Sequence, residues 1–443
     1  MSERTGAGGA RTTLLLLFAV NLLNFFDRQL PGALGEPIRR EFALNDTALG
    51  LLGTAFILIY AAVGVPVGRL SDKWVRTKLI SAGVAVWSVL TAASGLAWSY
   101  PALVAARLGV GVGEATCSPA CQSLLGDLFP KTQRSRALGV FMLGLPLGLF
   151  LAYLVGGFLG HAFGWRACFI FACVPGLILS LLILRLKEPV RGAVDVPAQT
   201  DVPASPYRAV LRNPTMWWII ASGALHNFNM YAINAFQTPF LQRFHELGLR
   251  EANTVSAVVL GAVGVVGLLA GGWASDRLSA RRADGRLLLA SIAMFAAAPC
   301  VFLALAQPAG ALVAFMIPMG IGIALTFVYY ATVYAAIQDV IEPRLRGTAV
   351  ALYFFAMYVL GASLGPVVTG MLSDAFARQA MEAAGSAVMS ESFRASGLHD
   401  AMYAIPALAL VCAGVLFAGS RTMLASSRAT IRALKESAVR TGS

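Results

Sequence analysis

The chain has 443 residues, of which 58% are hydrophobic and only 13% charged, with mean hydropathy +0.72 and a formal charge of +12. A soluble globular protein carries about 25% charged residues, so this composition excludes one. The apolar residues fall in runs of about 20, the length a helix needs to cross a bilayer's hydrocarbon core, and the strand alternation of a membrane β-barrel is absent.

Taken in order, twelve membrane helices are predicted, at roughly 12–33, 48–70, 78–98, 101–126, 136–161, 165–186, 214–241, 252–274, 286–306, 309–338, 347–372 and 400–420. The first is too long and wrongly flanked for a cleaved signal peptide. It reads "TLLLLFAVNLLNFFDRQLPG", so Asn24, Asp27 and Arg28 lie inside an apolar run. After the second comes "GRLSDKWVRTK". There Gly68 allows close helix approach, Asp72 can cap or pair with basic groups, and Arg76 faces the cytoplasm. The fourth reads "RLGVGVGEATCSPA", with Arg107, Gly111 and Glu114 spaced i, i+4, i+7 on one face. It is followed by "DLFPKTQRSRA", which contains Arg134. The fifth is crowded with Gly139, Gly144, Pro146, Gly148, Gly156 and Gly157, which suit either close packing or a hinge.

A Pro-rich polar stretch, 187–213, then separates six spans from six. The expected domains are therefore an N-terminal six-helix bundle (1–186), a cytoplasmic linker (187–213), a C-terminal six-helix bundle (214–422) and a basic tail (423–443). The seventh span reads "HNFNMYAINAFQTP". Asn227, Tyr231, Asn234 and Thr238 form one stripe, with His226 and Gln237 beside it. After the eighth comes "GWASDRLSARR", with Asp276 and Arg277. The tenth carries Tyr330 and Tyr334 one turn apart and is followed by "DVIEPRLRGTA", with Arg346. The eleventh holds Gly361, Gly365, Pro366 and Gly370.

The halves repeat. The loops after spans two and eight both read G-x-x-S-D-[KR], and those after spans four and ten share Asp, Arg and Ala at one spacing. An internal duplication of a six-span unit explains two matches in the same order. Because six is even, the copies run the same way. Parallel repeats of this kind are a transporter design, with the substrate between the halves near the bilayer midplane.

Most of the 34 Lys and Arg fall on the side that holds both termini, which puts the termini in the cytoplasm and makes the basic charge a matter of topology. Nucleic acid is not an expected partner. Membrane lipids and a small amphiphilic or anionic substrate are, and the chain is expected to act as a monomer. The six cysteines form no CxxC pair, so neither a disulfide nor a metal is expected. No nucleophile elbow, P-loop or dinucleotide fingerprint is present, so no enzymatic activity and no cofactor are expected.

Charged groups inside spans are expensive and usually face a cavity. The four are Asp27, Arg28, Arg107 and Glu114, and the C-terminal half has none beyond its span ends. At 1.5 Å per residue, Asp27 lies ~22 Å from the cytoplasmic edge, while Arg107 lies ~9 Å and Glu114 ~20 Å from the outer edge. In a ~30 Å core this sets Asp27 and Arg28 level with Arg107. Either the four charges neutralise one another and fix helix register, or a carboxylate alternates between a proton and a basic partner. Burial favours the proton and a nearby Arg opposes it. Since buried ion pairs are poor stabilising devices, the second reading is preferred.

The twelve spans, the parallel repeat and the G-x-x-x-D-[KR] loops resemble the major facilitator superfamily over nearly the whole chain. Val75 stands where the family loop usually has Gly, and Thr77 where it usually has a basic residue. More narrowly, "NFFDR", "GVGEATCSPA" and "DLFPKTQRSRALG" resemble the Spinster branch, especially its bacterial members. That resemblance implies coupling and head-group roles for Glu114, Arg107, Asp27 and Arg28, and an amphiphilic lipid substrate such as a lysophospholipid or sphingoid phosphate. The first-span "DR" is also similar to superfamily members that import organic acids with protons or sodium.

The expectation is a proton-coupled, alternating-access transporter in the cell membrane. Asp27 and Glu114 carry the proton. Asn24, Arg28, Arg107, His226, Asn227, Tyr231, Asn234, Tyr330 and Tyr334 bind substrate. Gly68, Asp72, Arg76, Arg134, Asp276, Arg277 and Arg346 gate. An organic-anion symporter is the alternative within transport. A non-transporting sensor or scaffold is the alternative outside it, and would not need four charges in its core.

Overall fold

A computed structural model describes residues 7–189, 205–342 and 345–441, without the side chains of 7–8, 65, 69, 72, 131–132, 135 and 424–441. The Asp72 side chain, most of the linker and the side chains of the basic tail from 424 on thus lie outside the described residues.

The described regular structure is helical. In chain order the helices are α1 (Ala7–Ala33), α2 (Gly35–Glu41), α3 (Asp46–Lys73), α4 (Arg76–Gly95), α5 (Tyr100–Glu114), α6 (Cys117–Leu128), α7 (Lys131–Met142), α8 (Gly144–Phe163) and α9 (Trp165–Leu184). They continue as α10 (Pro206–Leu211), α11 (Pro214–Arg243), α12 (Leu249–Ser256), α13 (Val263–Arg281), α14 (Gly285–Leu305), α15 (Leu312–Val340), α16 (Arg346–Ala356), α17 (Leu364–Ala383), α18 (Glu391–Met402) and α19 (Ala404–Thr441). π-helical turns at Ala257–Ala262 and Met357–Ala362 join α12 to α13 and α16 to α17.

Among the described residues, ten helical stretches are long and apolar enough to cross a membrane. The other two predicted spans are present but escape that criterion. The seventh is the single 30-residue α11, diluted by His226, Asn227, Asn229, Asn234 and Gln237. The fourth is broken into α5 and α6. Thr116 Oγ1 donates back to the Gly113 carbonyl at 2.8 Å. Pro119 lacks the N–H that would bond the Ala115 carbonyl, which favours a break one turn earlier. The twelve-span fold therefore stands.

Local chemistry sets the other ends. Asn45 caps α3 by accepting from the Ala48 N–H at 2.8 Å. Gly164, at φ 81°, separates α8 from α9 in a conformation that a side chain would oppose. Two features were not predicted. The short α2 occupies a stretch read as loop, and α17 runs past 372 to Ala383, bringing a buried Asp374 into the helix.

Contacts divide the chain into two units, Met1–Ala198 with Asn234–Ala262, and Gln199–Ile233 with Val263–Ser443. Division by span order assigns 234–262 to the C-terminal half, whereas contacts assign it to the first unit. The seam there is tight. Asn253 Nδ2 donates to the Ala33 carbonyl at 2.9 Å, Tyr153 OH donates to the Asn234 carbonyl at 2.7 Å, and a Cβ on Gly261 would lie 2.5 Å from Phe150 Cα.

In the first unit α8 lies along α1. A Cβ on Gly144 would lie 2.8 Å from the Leu22 nitrogen, and one on Gly148 2.6 Å from its carbonyl oxygen. In the second unit Gly361 and Gly365 abut the backbone of α11 at Ala224 and Phe228. These glycines work as close packing positions. The second unit is built around Met216, Ile219, Met294, Tyr329, Ile337, Tyr353 and Leu416, all buried.

The duplication is visible in detail. Arg134 Nη2 donates to the carbonyl of Gly126 and Arg346 Nη2 to that of Gln338, in each case eight residues back.

Candidate functional site

The first unit gathers the four intramembrane charges. Asp27 and Glu114 are 0% exposed, Arg107 1% and Arg28 7%. Arg28 Nη2 meets Glu114 Oε2 at 3.1 Å and Asn24 Oδ1 at 3.2 Å. Arg107 Nη2 donates instead to the Asp27 backbone carbonyl at 3.2 Å. Thr91 Oγ1 reaches Asp27 Oδ2 only at a long 3.5 Å. Asp27 Oδ1, Glu114 Oε1, and Arg107 Nε and Nη1 are buried without a hydrogen-bond partner.

The pairing corrects the depth argument, which set Arg107, not Glu114, level with Arg28. Helical side chains lean toward their own N-terminus. Arg28 on α1 and Glu114 on the oppositely running α5 therefore lean toward each other, Arg28 past Asn24. Glycines also bring α5 close to α3 and α4. A Cβ on Gly111 of α5 would lie 3.0 Å from the Phe56 carbonyl of α3, and one on Gly113 2.8 Å from Trp87 Cβ of α4. The guanidinium of Arg28 also lies over Tyr60, Phe25 and Phe56, with 4.6–5.3 Å to the ring centroids. Arg107 lies over Phe56 at 5.2 Å. These rings hold a guanidinium without neutralising it.

The second unit presents an uncharged aromatic and amide group. His226 lies flat on Tyr329, ring centroids 3.8 Å apart, and meets the edge of Tyr330 at 4.7 Å. Tyr329 OH is bonded to Ser222 Oγ at 2.9 Å and to Tyr353 OH at 3.2 Å. Asn227 Nδ2 donates to the Gly223 carbonyl at 2.9 Å and to Met357 Sδ at 3.3 Å. The π-helical turn of span eleven sets Met357 there. Tyr231, Tyr330 and Tyr334 are half-buried. The predicted stripe of span seven does not stay together. Asn234 and Thr238 belong to the first unit, where Thr238 Oγ1 meets Ser256 Oγ at 3.0 Å.

Ion pairs close both ends of the first unit. At the α2 end, Arg243 meets Asp46 through Nη1 and Nη2 and Glu36 through Nε, all at 2.8 Å. Arg39 and Arg40 also meet Glu36, at 2.7 and 2.9 Å. Burial alone would raise the Glu36 pKa, but the hydrogen bonds and charges of Arg39 and Arg243 outweigh it and hold the carboxyl at about 2. Beside it, Glu41 is held below its ordinary range chiefly by its hydrogen bond to Arg166. Sequence reasoning did not single out this cluster. The readable signal was Glu36 with Arg39 and Arg40 at i+3 and i+4, a helical spacing.

At the opposite end, Arg76 is buried between Asp127, Glu188 and Ser123, with Nε to Glu188 Oε1 at 2.7 Å. The second unit repeats the device with a residue the sequence did not single out. Arg286 Nε meets Asp339 Oδ2 at 2.8 Å, and Nη1 meets Ser275 at 3.0 Å and Asp276 at 3.4 Å. Arg277 lies over its own helix's Trp273 at 4.2 Å. Arg134 and Arg346 bond the carbonyls that end α6 and α15, as described above. Gly68 does not serve close approach, because a Cβ there would meet nothing within 4 Å. Tight contact falls instead at Gly83, Gly111 and Gly113.

Comparison with known proteins is consistent across three measures. Residues 17–366 match the model of the Major Facilitator Superfamily. An MFS-type efflux pump of Mycolicibacterium smegmatis is 31% identical over 84% of this chain and 86% of its own length. Protein spinster homolog 3 of Danio rerio is 29% identical over 82% and 76%. A bacterial homolog to the human lysosomal transporter Spinster superposes with TM-score 0.85 at 28% identity, covering 95% of this chain and 99% of that one. A D-xylose-proton symporter superposes with TM-score 0.71 at 15% identity, a likeness of fold alone.

Proposed function

This chain belongs to the Major Facilitator Superfamily, with Spinster proteins among its relatives, and on that premise we propose that it is a proton-coupled secondary transporter of an amphiphilic lipid. The fold and family are those of a multi-pass transporter rather than an enzyme. Both termini are proposed to face the cytoplasm, on the positive-inside distribution.

The observation that carries the coupling is the buried Arg28–Glu114 pair beside Asp27 and Arg107. Two guanidinium groups and two carboxylates sum to zero. A proton taken up by Glu114 or Asp27 leaves one guanidinium unopposed, and an unopposed buried charge is strongly unfavourable. An anionic head group restores neutrality, so proton and anion occupy the site together. Once Glu114 is protonated, Arg28 is retained by the rings of Tyr60, Phe25 and Phe56, poised for an anion. Alternation would use the ion pairs of Arg243 at one end of the first unit and of Arg76 at its other end. No bound cofactor is needed, because the proton gradient drives the cycle. Similarity to Spinster proteins supports an anionic lysophospholipid or sphingoid phosphate.

Proteoliposomes with an imposed pH gradient test this, with a labelled lysophospholipid and a labelled hexuronate followed in parallel. Gradient-driven lipid movement is expected, falling to background in Asp27→Asn and Glu114→Gln. Movement that survives both substitutions refutes the coupling mechanism. Hexuronate movement alone retains the coupling and discards the lipid.

A further inference from the structure

The substrate face of the second unit is short of charge. Neither 214–233, nor 312–338, nor 347–362 contains Asp, Glu, Lys or Arg. A group bound there is recognised by hydrogen bonding and contact, not by ion pairing. His226 stands out on this face. It is 0% exposed, and both its ring nitrogens lack a hydrogen-bond partner. Its neighbours could have satisfied it and do not. Ser222, Tyr329 and Tyr353 bond one another instead. Tyr329 only stacks on the imidazole, with the rings 11° from parallel, while Tyr330 meets it at 84°. A buried polar group without a partner is costly, because nothing replaces the hydrogen bonds it made to water. A Phe would give the same stacking without that cost.

We infer that His226, with the hydroxyls of Tyr330 and Tyr334, recognises an uncharged hydroxyl group of the substrate. The inference rests on the transport reading above and narrows its substrate. The half-buried Tyr330 and Tyr334 follow one another along α15, with ring centroids 6.1 Å apart, and Tyr330 is the ring that adjoins the imidazole. Their hydroxyls make no hydrogen bond to the Ser222–Tyr329–Tyr353 chain. A neutral imidazole presents one donor and one acceptor, and each phenol presents both. An alcohol, which donates and accepts, complements that set. A carboxylate or phosphate can only accept from this set and an ammonium can only donate to it, so each leaves part of it unpaired. A site built to hydrogen-bond a hydroxyl rejects the analogue that lacks it, because its own buried groups are then left unpaired. The hydroxyl belongs either to the glycerol or sphingoid part of a lipid or to a soluble polyol.

The test measures kcat/KM in proteoliposomes for a 1-acyl lysophosphatidate and its 2-deoxy analogue. In parallel it uses a hexuronate and the series of its single-deoxy analogues. Wild type is expected to prefer the hydroxylated member of the transported pair by tenfold or more. His226→Phe is expected to bring that ratio close to one. His226→Gln, which keeps a donor and an acceptor, retains most of the preference, and Tyr330→Phe and Tyr334→Phe each reduce it. If His226→Phe does not fold, the tyrosine variants decide. An unchanged ratio in the folded variants overturns the inference and leaves His226 a packing residue. A wild type that carries the lipid without a hydroxyl preference also overturns it, with the transport reading intact. Transport of neither pair refutes both.

Discussion

Replacing Arg243 with Leu tests whether the α2 end is held shut by charge. Arg243 makes three bonds of 2.8 Å, two to Asp46 and one to Glu36, and every side chain involved is 1–2% exposed. Glu36 keeps Arg39 and Arg40 after the substitution, but the bidentate contact with Asp46 is lost. Removing one partner of a buried pair costs about 3–5 kcal/mol. That cost falls on the closed seam alone, since opening hydrates the two carboxylates. At about 1.4 kcal/mol per tenfold, the ratio of open to closed rises roughly 10²- to 10³-fold. Gln237→Cys supplies a probe, because Gln237 lies on the same seam and is 0% exposed. In a background with the six native cysteines replaced, a membrane-impermeant maleimide reports the opening as a rate of labelling. Arg243→Leu should raise that rate at least a hundredfold. Arg243→Lys should give an intermediate rate, since an ammonium cannot span two carboxylates as a guanidinium does. A rate unchanged in Arg243→Leu refutes the reasoning and leaves glycine packing, not charge, as what closes this end.

The pH dependence of the same lock has a definite sign. Glu36 is held at about 2, so its stabilisation is fully present above the ordinary Glu value of about 4.3 and is lost only as pH falls toward 2. Glu36→Gln should therefore raise Gln237→Cys labelling equally at pH 5 and pH 8; a pH dependence over that window that Glu36→Gln abolishes would contradict this. Glycine substitutions should separate by site. A Cβ on Gly83 collides with Thr116, whereas one on Gly68 meets open space. Gly83→Ala should destabilise by about 1–3 kcal/mol through overpacking, and Gly68→Ala should stabilise by about 0.5–1 kcal/mol. Thermal melts in detergent check both, and equal shifts would contradict the packing argument.

The sequence by itself determined the membrane class, the twelve spans, the duplication and the segregation of intramembrane charge into the first half. Each follows from local composition or from a repeat within one chain. Hydropathy reports the solvent around a helix, and the paired loops report common descent. The fourth-span Glu114 and Arg107 and the first-span Asp27 and Arg28 were legible for the same reason, since charge in an apolar run is conspicuous. Which of them meet was not legible. Arg28 meets Glu114 through side chains that lean toward each other from oppositely running helices, and Gly111 and Gly113 settle α5 against α3 and α4. Rise per residue alone contains neither fact. The same limit explains Arg286, which meets Asp276 and Asp339 from another helix. It also explains Arg243, which lies far along the chain from Glu36 and Asp46. A charge in a loop reads alike whether it is solvated or buried, and only the packing of distant segments decides which. The stripe on span seven divided for a related reason. Helical periodicity places residues on one face, but it does not say that one helix is shared by two packed units.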